Sequence, residues 1–261
     1  MTKLKKIAKW IAISLVAILL IAFIAFKIYI ANYYRADNQI ISMVENLLDS
    51  QVNSYCDENG SVFIPEGQDI KAVIVFYPGG KVEYTAYTAL MYELASNGYL
   101  CLLPKMPENL AILQVNATEV LTSNYQDQVD LVRNLDWYLA GHSLGGVAAC
   151  SYLDSVLSSS SESGITYSGV ILCASYPTAD LSDDDIRLLS IYGSEDGVLN
   201  MDKYEASKTN WPEDSEEYVI DGGIHSYFGT YGIQDGDGEP LISNEAQIKL
   251  TASKIASWIN S

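Results

Sequence analysis

The sequence predicts an α/β fold with a doubly wound, mostly parallel sheet, preceded by one N-terminal transmembrane helix. Three observations predict it. Apolar strand-length runs alternate with amphipathic stretches from about residue 60 onward, the pattern of strands covered by helices on both faces. The run Trp137–Ala140 leads into Gly141-His142-Ser143-Leu144-Gly145-Gly146 and then an apolar helical stretch to Leu157, a strand–turn–helix with serine at its corner. Finally, Trp10 to Phe26 is an apolar run whose one polar residue is Ser14 and which carries no charge.

The chain has 261 residues and is 49% hydrophobic, enough for one domain with a well-buried core. Its net charge of −18 is unevenly spread. Residues 1–35 carry six cations and no acids, which leaves nine cations against 33 acids in the rest. A body so acidic repels nucleic acid and reads as a solvated, soluble surface.

The elements follow in order. Lys3, Lys5, Lys6 and Lys9 precede the apolar run, and Trp10 on one side with Tyr29, Tyr33 and Tyr34 on the other resemble interfacial aromatic belts. Lys9 and Lys27 can snorkel from the ends. The run is longer than a usual signal-peptide core, and Ala31, with Tyr29 two residues before it, makes a poor cleavage site. Residues 1–35 therefore read as a cytoplasmic lysine-rich tip and an uncleaved, single-pass anchor in the cell membrane. The lysines place the remaining chain outside the cytosol. A lead-in helix or linker is expected over 36–59, from the helical spacing of Ala36, Ile40, Ile41, Val44, Leu47, Leu48 and Val52.

The domain proper is expected over 60–261. Strands are predicted at Ser61–Ile64, Ile70–Tyr77, Tyr99–Pro104, Trp137–Ala140, Ser168–Ala174, Arg187–Tyr192 and Glu217–Ile220. Helices are predicted at Tyr84–Asn97, closed by Gly98, at Leu110–Ser123, Tyr125–Asn134 and Gly146–Leu157, and at Asn244–Ile259. Ser158–Ser163 reads as a surface loop. Cys101, Cys150 and Cys173 fall in core stretches and read as buried free thiols, while Cys56 lies outside them. No cofactor motif or metal-ligand spacing is present. Asp235-Gly236-Asp237-Gly238-Glu239 has some calcium-loop character without the full ligand spacing, and reads as a turn.

The chemistry falls after the carboxyl ends of strands, where such sheets bind ligands. Ser143 sits between glycines, so it can occupy a strained turn with its Oγ exposed and a helix N-terminus behind it. The Leu144 N–H points at developing negative charge. The chain has two histidines. His142 is adjacent to Ser143 and cannot turn to face it, which leaves His225 as the base, with a pKa suited to taking and returning a proton. Asp196 is the candidate to orient His225, with Glu195 as its rival and Asp221 a third option. A second oxyanion donor is expected from Tyr77-Pro78-Gly79-Gly80-Lys81, at Gly80 or Lys81. The order Ser, Asp, His matches a known triad order.

With FYPGGKVEYTAY (76–87), LLPKMPENLAI (102–112), YLAGHSLGG (138–146), IYGSEDGV (191–198) and GGIHSYFGTYG (222–232), the chain resembles the α/β-hydrolase superfamily. It is most similar to the small, capless bacterial group related to dienelactone-hydrolase-like proteins. The resemblance implies a catalytic Ser143, Asp196 and His225, with oxyanion N–H groups near Gly80 and at Leu144. Dienelactone hydrolases proper use a cysteine nucleophile, so their substrate is not carried over to Ser143. Lys81 beside the oxyanion loop would favour an anionic substrate, or is a solvated side chain. The stretch between Ser168–Ala174 and Arg187–Tyr192, where lids of this superfamily are inserted, is short, which implies a minimal or absent lid and an open site. The expected activity is hydrolysis of a small-molecule carboxylic ester. Acyl transfer or amide cleavage on the same triad, and a non-catalytic binding protein on the same fold, are the alternatives.

Overall fold

The computed structural model describes residues 3–159 and 164–261, and the chain forms two compact units that divide between Tyr33 and Tyr34. Of the Ser158–Ser163 loop, residues 160–163 lie outside the described part.

The first unit holds one helix, α1 (Lys3–Ala31). Its stretch Lys5–Ala31 is 27 residues long and apolar enough to cross a membrane. At 1.5 Å per residue it measures about 40 Å, more than a hydrocarbon core needs.

The second unit is built on one eight-stranded sheet. Its strands are β1 (Val52–Cys56), β2 (Gly60–Pro65), β3 (Ala72–Tyr77), β4 (Tyr99–Pro104), β5 (Asp136–His142), β6 (Thr166–Cys173), β7 (Arg187–Gly193) and β8 (Asp214–Ile220). Their spatial order is β1-β2-β4-β3-β5-β6-β7-β8. The pairs β1–β2 and β2–β4 are antiparallel and all others parallel. The chain reverses direction of travel across the sheet after β3, so the ends of β3 and β5 face one another at the switch point where α/β sheets place ligands.

Helices α2 (Asn38–Leu48), α3 (Thr88–Ser96) and α8 (Asn244–Ile259) cover one face. Helices α4 (Ala117–Asn124), α5 (Gln126–Val132) and α6 (Leu144–Leu157) cover the other. The seven-residue α7 (Met201–Ser207) follows β7. Strand alternation separates two cores. Ile74 and Phe76 join Leu90, Leu94 and Ile255 on the first face, while Val73, Val75 and Tyr77 join Ala148, Ala149 and Leu153 on the second. Every residue of β3 is buried, as expected of a central parallel strand.

The expected helix over Asn244–Ile259 is α8, opened by Ser243, whose Oγ accepts from the Ala246 N–H. Cys101, Cys150 and Cys173 are buried free thiols and Cys56 is exposed. Several boundaries differ. The region expected as a lead-in, 36–59, is part of the second unit: α2 stops at Leu48 and Val52–Cys56 is the edge strand β1. There, Asp57 accepts from the Asn59 and Gly60 N–H groups and closes a hairpin onto β2. Residues 84–87 form a 3-10 turn before α3, and Pro107–Asn109 and Ala111–Leu113 are short 3-10 turns, so of the stretch expected as a helix from Leu110 the α-helix begins at Ala117. The connection between β6 and β7 contains no helix.

Candidate active site

Ser143 stands between β5 and α6 with φ 51° and ψ −122°, a conformation that costs about 1–3 kcal/mol and persists only when its surroundings impose it. They do so through backbone contacts. A Cβ at Gly145 would fall on the carbonyls of Tyr77 and Pro78, and one at Gly141 would lie 2.5 Å from the Gly146 nitrogen. The Ser143 N–H donates to the Cys173 carbonyl at 3.0 Å, and its own carbonyl accepts from Ser175 Oγ at 2.7 Å. The corner is thus bonded to the end of β6 and to the loop that follows it.

The loop after β3 lies against this corner. A Cβ at Gly80 would sit 2.8 Å from Leu144 Cδ2, so the Gly80 backbone packs closely on the Leu144 side chain. The amides of this loop are not equivalent. Gly79 N–H donates to Tyr87 Oη, Lys81 N–H to the Asn109 carbonyl and Val82 N–H to the Gly79 carbonyl. Of the two expected donors, Lys81 therefore gives its N–H to the Asn109 carbonyl. Gly80 packs against the Leu144 side chain at the start of α6.

His225 follows β8 and is 2% exposed. Its Nδ1 lies 2.9 Å from Asp196 Oδ2, and both side chains are only 2% exposed. Asp196 Oδ1 accepts from the Val198 and Leu199 N–H groups at 2.9 and 2.8 Å. That turn holds the carboxylate in place and directs its second oxygen to the ring. The rivals are elsewhere: Glu195 is exposed and accepts from Ser194 Oγ, and Asp221 is exposed at the strand end. With Nδ1–H given to Asp196, Nε2 is the basic nitrogen of His225. On the α8 side, Gln247 clamps the preceding residue, accepting from the Ile224 N–H and donating to the Ile224 carbonyl.

Ser143 and His225 border one cleft of about 210 Å³, walled by Leu144, Val147, Val198 and Leu199. No acidic or basic side chain other than His225 lines it. The described residues hold no cluster of three or more His, Cys, Asp or Glu side chains able to bind a metal.

The sequence left His142 unused, and the structure gives it a setting. It is 1% exposed, its Nδ1 lies 2.8 Å from Tyr87 Oη, and its ring centre is 4.5 Å from that of His225. Tyr87 Oη accepts from Gly79 N–H, so its proton faces His142 Nδ1. Burial pushes the His142 imidazole well below its ordinary 6.5, the neighbouring His225 ring adds to this, and the His225 backbone opposes it in part. His142 is a neutral wall beneath the candidate base.

This has a pH signature. The folded chain refuses a proton that the unfolded chain accepts below about 6.5, so the stability held above that pH is lost as pH falls through it. Glutamine can accept the Tyr87 hydrogen bond without titrating. His142→Gln is expected to flatten the Tm profile between pH 6.5 and about 5 while lowering Tm overall. A profile as steep as the parent's would place the titration in another group.

A model of the alpha/beta hydrolase family matches residues 73–249, well over half of the chain. No curated protein matches it. The matched region runs from β3 through the Ser143 corner and the turns bearing Asp196 and His225 into α8. The chain belongs to the alpha/beta hydrolase family.

Proposed function

We propose that the protein is a serine hydrolase that cleaves small carboxylic esters through an acyl-enzyme. Ser143 Oγ attacks the ester carbonyl and His225 Nε2 takes its proton. Asp196 holds the His225 ring and stabilises the imidazolium. The Leu144 and Gly80 N–H groups bind the oxyanion, the alcohol leaves with the proton from His225, and water repeats the sequence to release the acid. The observation that carries this reading is the buried Asp196–His225 hydrogen bond opening onto the same cleft as a strained serine.

The test is labelling of the full-length chain in detergent with a fluorophosphonate probe. Ser143→Ala is expected to abolish labelling and to lower ester turnover by about 10⁴-fold or more, with His225→Ala similarly impaired. Turnover at the parent rate in Ser143→Ala would exclude the serine as nucleophile, and a folded parent with neither labelling nor turnover would leave a binding role on this fold. Transfer of the acyl group to an added alcohol or amine in preference to water would make the protein an acyltransferase.

The small, uncharged cleft supports a neutral substrate with a short acyl group. Each methylene buried in an apolar wall contributes about 0.8 kcal/mol, and a chain that outgrows the cleft gains nothing further. Across p-nitrophenyl esters, kcat/KM is expected to peak between acetyl and hexanoyl and to fall at least tenfold by dodecanoyl. A steady rise to dodecanoyl would contradict a cleft of this size.

We further propose that α1 anchors the chain in the cell membrane with residues 36–261 on the extracytoplasmic side. The support is the apolar length of α1 and the lysines Lys3, Lys5, Lys6 and Lys9 at its start. Cys56 is exposed while the other three cysteines are buried, so it reports sidedness. A membrane-impermeant maleimide is expected to label intact cells making the protein, and not those making Cys56→Ser. Labelling only after lysis would reverse the orientation.

A further inference from the structure

We propose that Asp237 is a positioning residue for the hydrolysis, whose one carboxylate ties the turn bearing Asp196 to the turn bearing His225 and sets the register between acid and base. This rests on the serine-hydrolase reading above.

Asp237 Oδ1 accepts from the Gly197 N–H at 3.2 Å, the His225 N–H at 3.1 Å and the Gly238 N–H at 2.9 Å. Oδ2 accepts from the Ser226 N–H at 2.7 Å and from Ser226 Oγ at 2.5 Å. Gly197 is the residue after Asp196, and Ser226 the residue after His225. The carboxylate thus reaches both partners of the Asp196–His225 bond through the adjacent backbone. Ser226 Oγ accepts in turn from the Gln234 N–H at 2.9 Å, which closes the Asp237 loop on itself.

The contact between the loops is backbone to backbone. A Cβ at Gly238 would fall on the Glu195 carbonyl, and one at Gly197 would lie 2.6 Å from the Gly236 carbonyl. No side chain separates the Asp196 turn from the Asp237 loop there, and the same carboxylate reaches on to the His225 turn. Five donors converge on two oxygens, an arrangement suited to an anion and poorly matched by an amide, which would turn an NH₂ toward one set of donors. Burial opposes ionisation of Asp237, but the Ser226, Gly197 and Gly238 donors outweigh it and hold the carboxyl below its ordinary range. The same donors explain why Asp235-Gly236-Asp237-Gly238-Glu239 is not a calcium loop: the Asp237 oxygens already face N–H and O–H groups.

A misplacement of about 1 Å in a reacting group costs on the order of 10²-fold in rate. The test uses full-length protein in detergent, with p-nitrophenyl butyrate as substrate and fluorophosphonate titration to count working sites. Asp237→Asn is expected to lower kcat per titrated site by about 10- to 100-fold with KM within about twofold. Its far-downfield His225 Nδ1–H proton resonance is expected to shift or broaden. Asp235→Asn removes the same charge from the same loop, where the side chain is exposed, and is expected to match the parent. Ser226→Ala deletes one donor and is expected to show the same kcat-selective loss in smaller degree, and it carries the test should Asp237→Asn not fold. Turnover per site within twofold of the parent in both Asp237→Asn and Ser226→Ala would overturn the proposal. So would fewer titratable sites with unchanged turnover per site, because that marks a purely structural role. Retained turnover in Ser143→Ala would instead overturn the serine reading on which the proposal stands.

Discussion

The site depends on the contact of the Gly145 backbone with the carbonyls at the end of β3. Because nothing larger than hydrogen fits there, α6 starts directly against the central strand. Ser143 is then forced into its strained corner, and the Leu144 side chain packs on Gly80. The strain is local, but what opposes it is not. The hydrogen bonds from Ser143 N–H to β6 and from Ser175 Oγ back to the corner hold it, and the apolar packing of α6 under β3 and β5 holds α6. The burial of Ala148, Ala149 and Leu153 thus stabilises a conformation that Ser143 would not adopt alone.

The second half of the site is organised differently. His225 and Asp196 sit on consecutive parallel strands, where β7 and β8 end together, with Gly193 paired to Ile220. Their turns are stitched by backbone and side-chain hydrogen bonds: Ser194 N–H to the Ile220 carbonyl, Glu195 N–H to the Gly223 carbonyl and Gly222 N–H to Ser194 Oγ. Polar groups do here what apolar packing does around Ser143, and nearly all of them are matched. The two histidines have contrasting settings. His225 faces the cleft and an anion, while His142 lies beneath it, neutral and bonded to Tyr87.

Much of this was legible in the sequence, for identifiable reasons. The continuous apolar runs of β3 and β4 and the serine between glycines are local signals with few alternative structures. Asp196 and His225 were reachable through their positions after β7 and β8. What escaped is what depends on distant partners. Val52–Cys56 extends the helical spacing of α2 and carries only a weak strand pattern, and the Asp57–Gly60 turn was its clearest signal. Lys81 and Gly80 are indistinguishable as residues in a glycine loop, and only the Asn109 carbonyl decides between them. Asp237 read as one acid in an acidic turn, because no local spacing reveals five donors arriving from two other loops. His142 was recognised as unable to serve Ser143, but its packing on His225 required the Tyr87 contact to be seen.

The connection between β6 and β7 brings Ala174, Ser175 and Tyr176 to the cleft, yet none of the three residues proposed for the chemistry lies on it. Ser143, Asp196 and His225 hang from β5, β7 and β8. The start of the loop is tied to the site, because Ser175 Oγ donates to the Ser143 carbonyl. A longer insert after Tyr176 would extend the wall of the cleft and leave that bond in place. This short loop is the place where a lineage, or an engineer, would reshape the cleft at least risk to the fold.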